Sequence, residues 1–559
     1  MTQPSVLQEK KLRQPGWVAA ILITLAGVWL HFYFLLHAGG FWRDEVSLIN
    51  LAGRHSLGDM SKDSFPVLMP LLVHGWIAAG LGQNDLSLRL LGFLAGLGIL
   101  AALWAAAWTA RRSPPLASLV LIGLNMTVIA YGDSLRAYGL GSLFIVLTAA
   151  AMWAFLKNPA WSRAGILAVA AILSVQSLYQ NAVLFAAICL GAWMVCVRRK
   201  NLQAAAKILL AAIAAAASLL PYWKNIFEMP QAAMSLRIGV IPAMAFKNFD
   251  SVVAFPLPQY LRVWEFLALA VVCLACARWF ARNPKPGPAA GQVSTDDLPL
   301  FAGATLLAAF TGFTGFLWFA ALPTQPWYFL PPVALGAVCL EFGVPLSSLP
   351  RLVRVVAFAL IAATACIAVP FAQRDLNRHF TNVDRLARQL AAEAAPDDLI
   401  IVTPWYCGIS FEHYFKGSTP WTTLPPLSDH SWHRYDLVKI QMQNTNAIRP
   451  VIDRMAATLQ SGHHVWMVAS VGWINIPAPG ATPFILPPPP LKDFGWSDLP
   501  YIYAWNSQVA GFLADHSRQF GRLKNPAGDV RSDEKLELFA ADGWKDTAPP
   551  VSTLKTNAP

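Results

Sequence analysis

Long apolar runs separated by short polar connections fill the chain up to residue 371, and the pattern changes beyond it. A hydrocarbon core of roughly 30 Å takes about 20 apolar residues as a helix. Runs of that kind lie at 17–38, 88–109, 116–132, 138–156, 164–179, 181–197, 203–222, 262–281, 298–320, 327–342 and 352–371, predicting about eleven spans. The stretch from Trp17 to His37 is too long for a signal-peptide core and has no small-residue cleavage site, so it reads as a retained first span. After residue 371 a polar helix-like run, Arg374 to Glu393, precedes short apolar stretches at Asp398–Pro404, His464–Ser470 and Lys535–Ala540. These predict a helix and strands of a separate α/β domain. The Pro-rich stretch 477–490 reads as a loop. The expected fold is a polytopic α-helical membrane domain over 1–371, with long outer loops at 39–87 and 223–261, followed by an α/β domain over 372–559.

Composition narrows the class. Hydrophobic residues make up 56% of the chain and charged residues 13%, which no ordinary soluble domain matches. The formal net charge of +11 follows largely from how basic residues are sorted among the connections. Lys10, Lys11 and Arg13 precede the first span, Arg111 and Arg112 follow the second, and Lys157 and Arg163 follow the fourth. Arg198, Arg199 and Lys200 follow the sixth, Arg282 and Lys285 the eighth, and Arg351 and Arg354 precede the eleventh. Basic residues of short loops accumulate on the cytoplasmic side, so the N-terminus is expected inside and the tail outside. The charge therefore points to membrane lipids and not to nucleic acid. Six of seven cysteines fall in expected spans and leave Cys407 alone in the tail, which provides no disulfide framework. Cys273 and Cys276 read as packing residues, because a structural metal site needs four ligands.

The outer connections carry the candidate chemistry. In the first of them, Val46 to Gly53 and Val67 to Leu81 are apolar enough for short interfacial helices, with Trp42 and Trp76 as anchors. Gly39-Gly40-Phe41-Trp42-Arg43-Asp44-Glu45 places two adjacent carboxylates just beyond the first span. Two readings stand side by side: a solvated loop start with Arg43 paired to an acid, or a general base that takes the proton of a hydroxyl. The cluster Tyr131-Gly132-Asp133-Ser134-Leu135-Arg136-Ala137-Tyr138 follows the third span. The guanidinium of Arg136 is a rigid fork of donors suited to a phosphate, or else a snorkelling anchor of the helix end. Lys224, Arg237 and Lys247 in the loop after the seventh span share that reading more weakly. In the tail, Asp429, His430, His433 and Asp436 imitate a metal site at low specificity. Trp405, Tyr406, Trp421, Trp432 and Trp473 are suited equally to stacking on a glycan and to packing.

In order and spacing these elements resemble the membrane glycosyltransferases of the GT-C fold, in the bacterial family 39-like group that includes aminoarabinose transferase-like and RgtA/B/C/D-like proteins. The matching elements are Asp44-Glu45, the stretch Phe65 to Trp76 containing Phe65-Pro66-Val67 and His74, Asp85 to Leu90 entering the second span, and Asp133 to Tyr138. The resemblance covers roughly residues 15–345. It implies that Asp44 activates an acceptor hydroxyl with Glu45 in support, that Arg136 and Tyr138 hold the donor phosphate, and that Arg43 and Asp133 line the substrate site. Where relatives often carry His-Pro-Pro or Lys-Pro-Pro this chain has Phe65-Pro66-Val67, and His74 or Lys62 are the groups available to replace the missing base; Lys62 and Arg237 are further candidates for the donor phosphate and His74 for the substrate. Where relatives tend to Arg-Tyr this chain has Trp327-Tyr328. The implied reaction moves a sugar from a polyprenyl-phosphate donor to an envelope glycan or lipid acceptor, with inversion, at the outer face of a bacterial inner membrane. It requires no cofactor, although carboxylates are also hard-cation ligands and leave a divalent metal open. Two other classes compete: a transporter or flippase of the lipid-linked sugar, for which no internal repeat is visible, and an inactive envelope scaffold.

Overall fold

Helices account for most of the described residues up to Leu376 in the computed structural model. It describes residues 6–54, 56–61, 65–224, 240–281, 293–321, 323–344, 346, 349–470, 485–490, 496–526 and 528–545. The chain divides into two units. The first is formed by residues 1–38, 51–230 and 237–377, and the second by 39–50, 231–236 and 378–559.

In the first unit, eight helices among the described residues are long and apolar enough to cross a membrane. They are Pro15–His37, Asp85–Arg111, Ala137–Lys157, Asn181–Arg199, Leu202–Tyr222, Tyr260–Phe280, Thr295–Ala320 and Arg351–Leu376. Three of the expected spans are helical but short or broken. Trp161–Ser177 and Leu330–Gly343 are continuous. The segment 116–132 is split into Leu116–Ser118, a π-helical turn Leu119–Gly123, and Met126–Gly132. Asn125 causes the restart: its side-chain oxygen accepts from the backbone N–H of Thr127 and Val128, as an N-cap does. Its amide nitrogen donates to Val252 O at 2.7 Å, so the buried amide is satisfied.

Helices that are apolar on every side bury one face in protein and show the other to lipid. Trp153, Phe301 and Phe342 form part of the inner packing, with ring centroids 5.6 and 6.3 Å apart. Leu22, Ile166, Phe266, Phe310, Trp318, Leu352 and Phe371 are exposed. Small residues set the closest approaches, as is usual between membrane helices. A Cβ at Gly191 would strike Thr305, and one at Gly303 would strike Ala275. Buried charge is paired: Arg198 and Arg199 both reach Asp297, at 3.3 and 2.7 Å.

The second unit is built on a five-stranded sheet. Its strands are β2 (Leu399–Thr403), β3 (Trp421–Thr423), β4 (Val465–Ser470), β5 (Ser517–Arg522) and β7 (Leu536–Trp544), in the order β3-β2-β4-β7-β5. The pairs β2–β3 and β2–β4 are parallel, and β7 runs antiparallel to both β4 and β5. A separate parallel pair joins β1 (His379–Thr381) to β6 (Val530–Glu534). Alternation along the strands feeds two cores, because successive side chains point to opposite faces. Ile400, Val402 and Val468 pack with Leu386, Leu390 and Phe411 on one face. Leu399, Ile401 and Met467 pack with Met455, Leu459, Trp505 and Val509 on the other. The sheet is thus covered on both faces by helices, the α/β arrangement expected from the alternating elements.

The expected polar helix from Arg374 is interrupted. The last membrane helix runs on to Leu376, β1 follows, and a new helix occupies Val383–Glu393. Asn382 explains the break: its side chain bonds both the N–H and the carbonyl of Leu536, tying the chain to β7. Residues 485–490 have no regular structure; the rest of the expected Pro-rich loop, 477–484, and Trp473 lie outside the described residues.

Candidate active site

The residues singled out above fall into two groups, one in each unit. In the second unit the segment 39–50 contains the start of the helix Arg43–Ala52. Trp42 stands at its N-cap, and Glu45, three residues on, returns a carboxylate oxygen to the Trp42 N–H at 3.4 Å. This is the acidic half of a capping box. Glu45 is fully buried, whereas the Asp44 side chain keeps 19% of its surface exposed. The two adjacent acids are therefore unlike: one is enclosed within the turn and the other reaches solvent.

Asp44 stands between two basic groups. Arg43 Nε lies 3.7 Å from Asp44 Oδ1, and His433 Nε2 lies 3.4 Å from the same oxygen. Arg43 is held from behind. Its backbone N–H donates to Glu534 Oε2 at 2.9 Å, its guanidinium is 3.6 Å from the same carboxylate, and it rests 4.6 Å above the Tyr406 ring and 5.1 Å from that of Trp42. Ser410 donates its hydroxyl to the other Glu534 oxygen. Burial works against the charge on Arg43, but the carboxylates of Asp44 and Glu534 outweigh it and hold the guanidinium above its ordinary value. Burial pushes the fully enclosed Glu534 carboxyl up to about 7, with Arg43 pulling the other way.

His433 is positioned by its loop. Arg434 bonds both Asp429 and Asp436, and Asp429 accepts from the N–H and hydroxyl of Ser431. Asn50 donates to Ser431 O at 2.8 Å, joining this loop to the helix that carries Asp44. Tyr435 stacks on the His433 ring at 6.0 Å, and Trp405, anchored through its indole N–H to Asp498 at 2.9 Å, meets it edge-on at 6.3 Å. The acids that imitated a metal site thus clamp Arg434, and His430 packs against Trp421. Among the described residues no three His, Cys, Asp or Glu side chains converge in a way that would hold a metal ion.

In the first unit, Asp133 is buried at the end of Met126–Gly132 and lies 2.8 Å from His31 Nδ1 through both oxygens. Gly92 and Gly96 make room for it, since a Cβ at Gly96 would overlap the Asp133 carboxylate and one at Gly92 its carbonyl. Arg136, nearly buried, takes an extended backbone at the N-cap of Ala137–Lys157 and places its guanidinium 4.6 Å over the Phe65 ring. Phe65 meets Tyr138 edge-on at 5.2 Å, and Tyr138 lies 6.2 Å from Tyr328 and 6.5 Å from Trp327. Tyr131 completes the group, 4.8 Å from Trp327. An aromatic cluster thus lies beside Arg136, and it includes both positions where the resemblance leads one to expect a base. His74 bonds the carbonyl of Ala52 at 2.8 Å, linking two short helices. Lys62 and Arg237 lie outside the described residues.

Glu534 and Ser410 were not legible in the sequence, and His433 and Tyr406 were noticed only for other roles. No local motif marks them; only the pairing of the tail with segment 39–50 gives them meaning.

No family model and no curated protein matches the chain. Among solved structures it is similar to ArnT from Cupriavidus metallidurans bound to undecaprenyl phosphate, at 12% identity and a TM-score of 0.46, over 82% of this chain and 93% of that one. It is also similar to the Archaeoglobus fulgidus oligosaccharyltransferase in complex with zinc and sulfate, at 11% identity and a TM-score of 0.46, over 81% of this chain and 68% of that one. The AglB oligosaccharyltransferase of the same organism, in complex with an inhibitory peptide and a dolichol-phosphate, gives 11% identity and a TM-score of 0.43, covering 81% and 69%. All three likenesses lie at 11 or 12% identity with TM-scores below 0.5, and they extend to no residue's role.

Proposed function

We propose that this protein transfers a sugar from a polyprenyl-phosphate carrier to a hydroxyl of a cell-envelope glycan or lipid, on the outer face of a bacterial inner membrane. The observation that carries the reading is the state of Asp44: a partly exposed carboxylate at a helix start, flanked by Arg43 and His433 and backed by the buried Glu534. Asp44 takes the proton of the acceptor hydroxyl as its oxygen attacks the anomeric carbon. The bond from that carbon to the phosphate oxygen breaks, and polyprenyl phosphate leaves with the electron pair. A phosphate leaving group needs charge stabilisation more than protonation, and Arg136 is the group suited to provide it. Displacement in one step inverts the anomeric centre.

The step balances without a cofactor. His433 orients the Asp44 carboxylate from one side, and Arg43 stands beside it as a counter-charge on the other. The test is transfer of labelled sugar from a panel of polyprenyl-phosphate sugars to envelope extracts, by the purified wild type and the Asp44→Asn variant in parallel. Transfer by the wild type alone supports the reading. No transfer from any donor would turn attention to a transporter of the same lipid.

A further inference from the structure

A cavity of about 450 Å³ opens in the first unit, where the end of Asp85–Arg111, the end of Ala137–Lys157 and the start of Trp161–Ser177 meet. Arg112, Lys157 and Arg163 line it, with Trp108, Thr109 and Ile166. Lys157 Nζ donates to Thr109 O at 3.0 Å and Arg163 Nη1 to Ala154 O at 2.7 Å. Both acceptors belong to the last turns of helices, where carbonyls have spare accepting capacity; Ala154 O otherwise accepts from the Asn158 N–H, at 3.4 Å. Such carbonyls together carry roughly half a negative charge per helix end, too little to balance three cations.

The contrast with other basic residues of this unit is informative. Arg198 and Arg199 are balanced by Asp297, and Arg278 approaches Asp296 at 3.9 Å. Among the described residues no carboxylate lines the cavity, and the charged neighbours of Lys157 are Arg112 and Arg163, both of like charge. Arg112 is held there in a left-handed conformation, φ +52°, that non-glycine residues seldom adopt.

We infer that this cleft binds the phosphate head group of an anionic glycerophospholipid. The apolar rim decides between a lipid and a free phosphate. Trp108 is 54% exposed and Ile166 62% exposed, both on helix faces that continue along the membrane domain. An acyl chain covers those side chains; inorganic phosphate leaves them bare. Trp17 meets Trp108 edge-on at 6.1 Å, giving an aromatic pair of the kind that settles at head-group level. Basic pockets between helix ends at a membrane surface are suited to this ligand class.

The test uses the full chain in detergent, with phosphatidylglycerol, phosphatidylcholine or inorganic phosphate added, and native mass spectrometry to measure retained lipid. The wild type should retain phosphatidylglycerol in preference to phosphatidylcholine. Arg112→Gln/Arg163→Gln should weaken that retention by about tenfold or more, as expected for two lost charge-assisted contacts. Lys200→Gln/Arg351→Gln, which removes the same charge from other exposed helix ends, should leave it unchanged. Equal retention by the cleft variant and the wild type would overturn the site, as would equal retention of the two lipids. Displacement of phosphatidylglycerol by an equal concentration of inorganic phosphate would overturn the lipid assignment. Should the cleft variant fail to fold, the wild type's preference between the two lipids still decides.

Discussion

His433 Nε2 lies 3.4 Å from Asp44 Oδ1, although one residue sits just after the chain's first membrane-length helix and the other deep in its tail. Under the proposed reaction this makes His433 a positioning residue. His433→Ala should lower kcat by roughly 10- to 100-fold with little change in acceptor KM, the scale expected when a catalytic group loses its fixed orientation. It should also shift the acid limb of the pH–rate profile, which a merely structural role would not do. An unchanged profile together with an unchanged rate would remove His433 from the mechanism.

The adjacent acids should separate cleanly on mutation. Asp44→Asn should reduce transfer by about 100-fold or more at unchanged folding, as for loss of a general base. Glu45→Gln should instead act on stability, because the buried Glu45 returns its carboxylate to the helix start. Steady-state rates and thermal melting of both variants are the measurement, and equal kinetic loss at equal stability would contradict the distinction.

Arg136→Ala should raise the KM for the polyprenyl-phosphate donor more than that for the acceptor, with Arg136→Lys restoring only part of the loss. A defect confined to the acceptor would reverse the assignment. Phe65→Ala should have a smaller effect in the same direction, since the ring supports the guanidinium from one side.

The raised carboxyl of Glu534 gives the chain a pH-dependent stability term. An ordinary glutamate loses its proton near 4.5, whereas burial holds Glu534 to about 7. Between those values the folded state binds the proton and the unfolded state does not, so this contribution is greatest at the acid end and is lost as pH rises through about 7. Thermal melts of wild type and Glu534→Gln across that window should show the wild type losing stability relative to the variant as pH rises. A flat difference, or one of the opposite slope, would refute it.

Gly96→Ala should destabilise the membrane domain by about 1–3 kcal/mol, the usual cost of overpacking, because the added carbon overlaps the Asp133 carboxylate that faces His31. Melting in detergent measures it, and a neutral substitution would mean that the pair shifts freely within its pocket.

The sequence disclosed what depends on local pattern. Apolar runs of span length became helices, and β2, β4 and β7 showed through the side chains of Leu399–Thr403, Val465–Ser470 and Leu536 onward, which sit in a two-sided core. The edge strand β5 escaped notice because Arg518, Gln519 and Arg522 make it read as a polar loop. The helix Leu499–His516 was missed in an aromatic stretch following a Pro-rich one. The break within 116–132 was hidden because a single Asn125 amid apolar residues does not disturb a hydropathy average. Asp44 and Arg136 were singled out from residue chemistry and motif order. The surroundings of Asp44 were not, since Glu534, Ser410 and His433 gain their roles from contacts across hundreds of positions.

The folding of residues 39–50 with the tail has a consequence for how this protein can vary. A change of sign at position 534 would strand Arg43, and a change at 433 would alter the neighbourhood of Asp44. Substitutions in the tail must therefore be answered in the first connection, and the two stretches are bound to drift as one heritable piece. A chimera that kept the spans and exchanged only the tail would inherit a carboxylate without its housing.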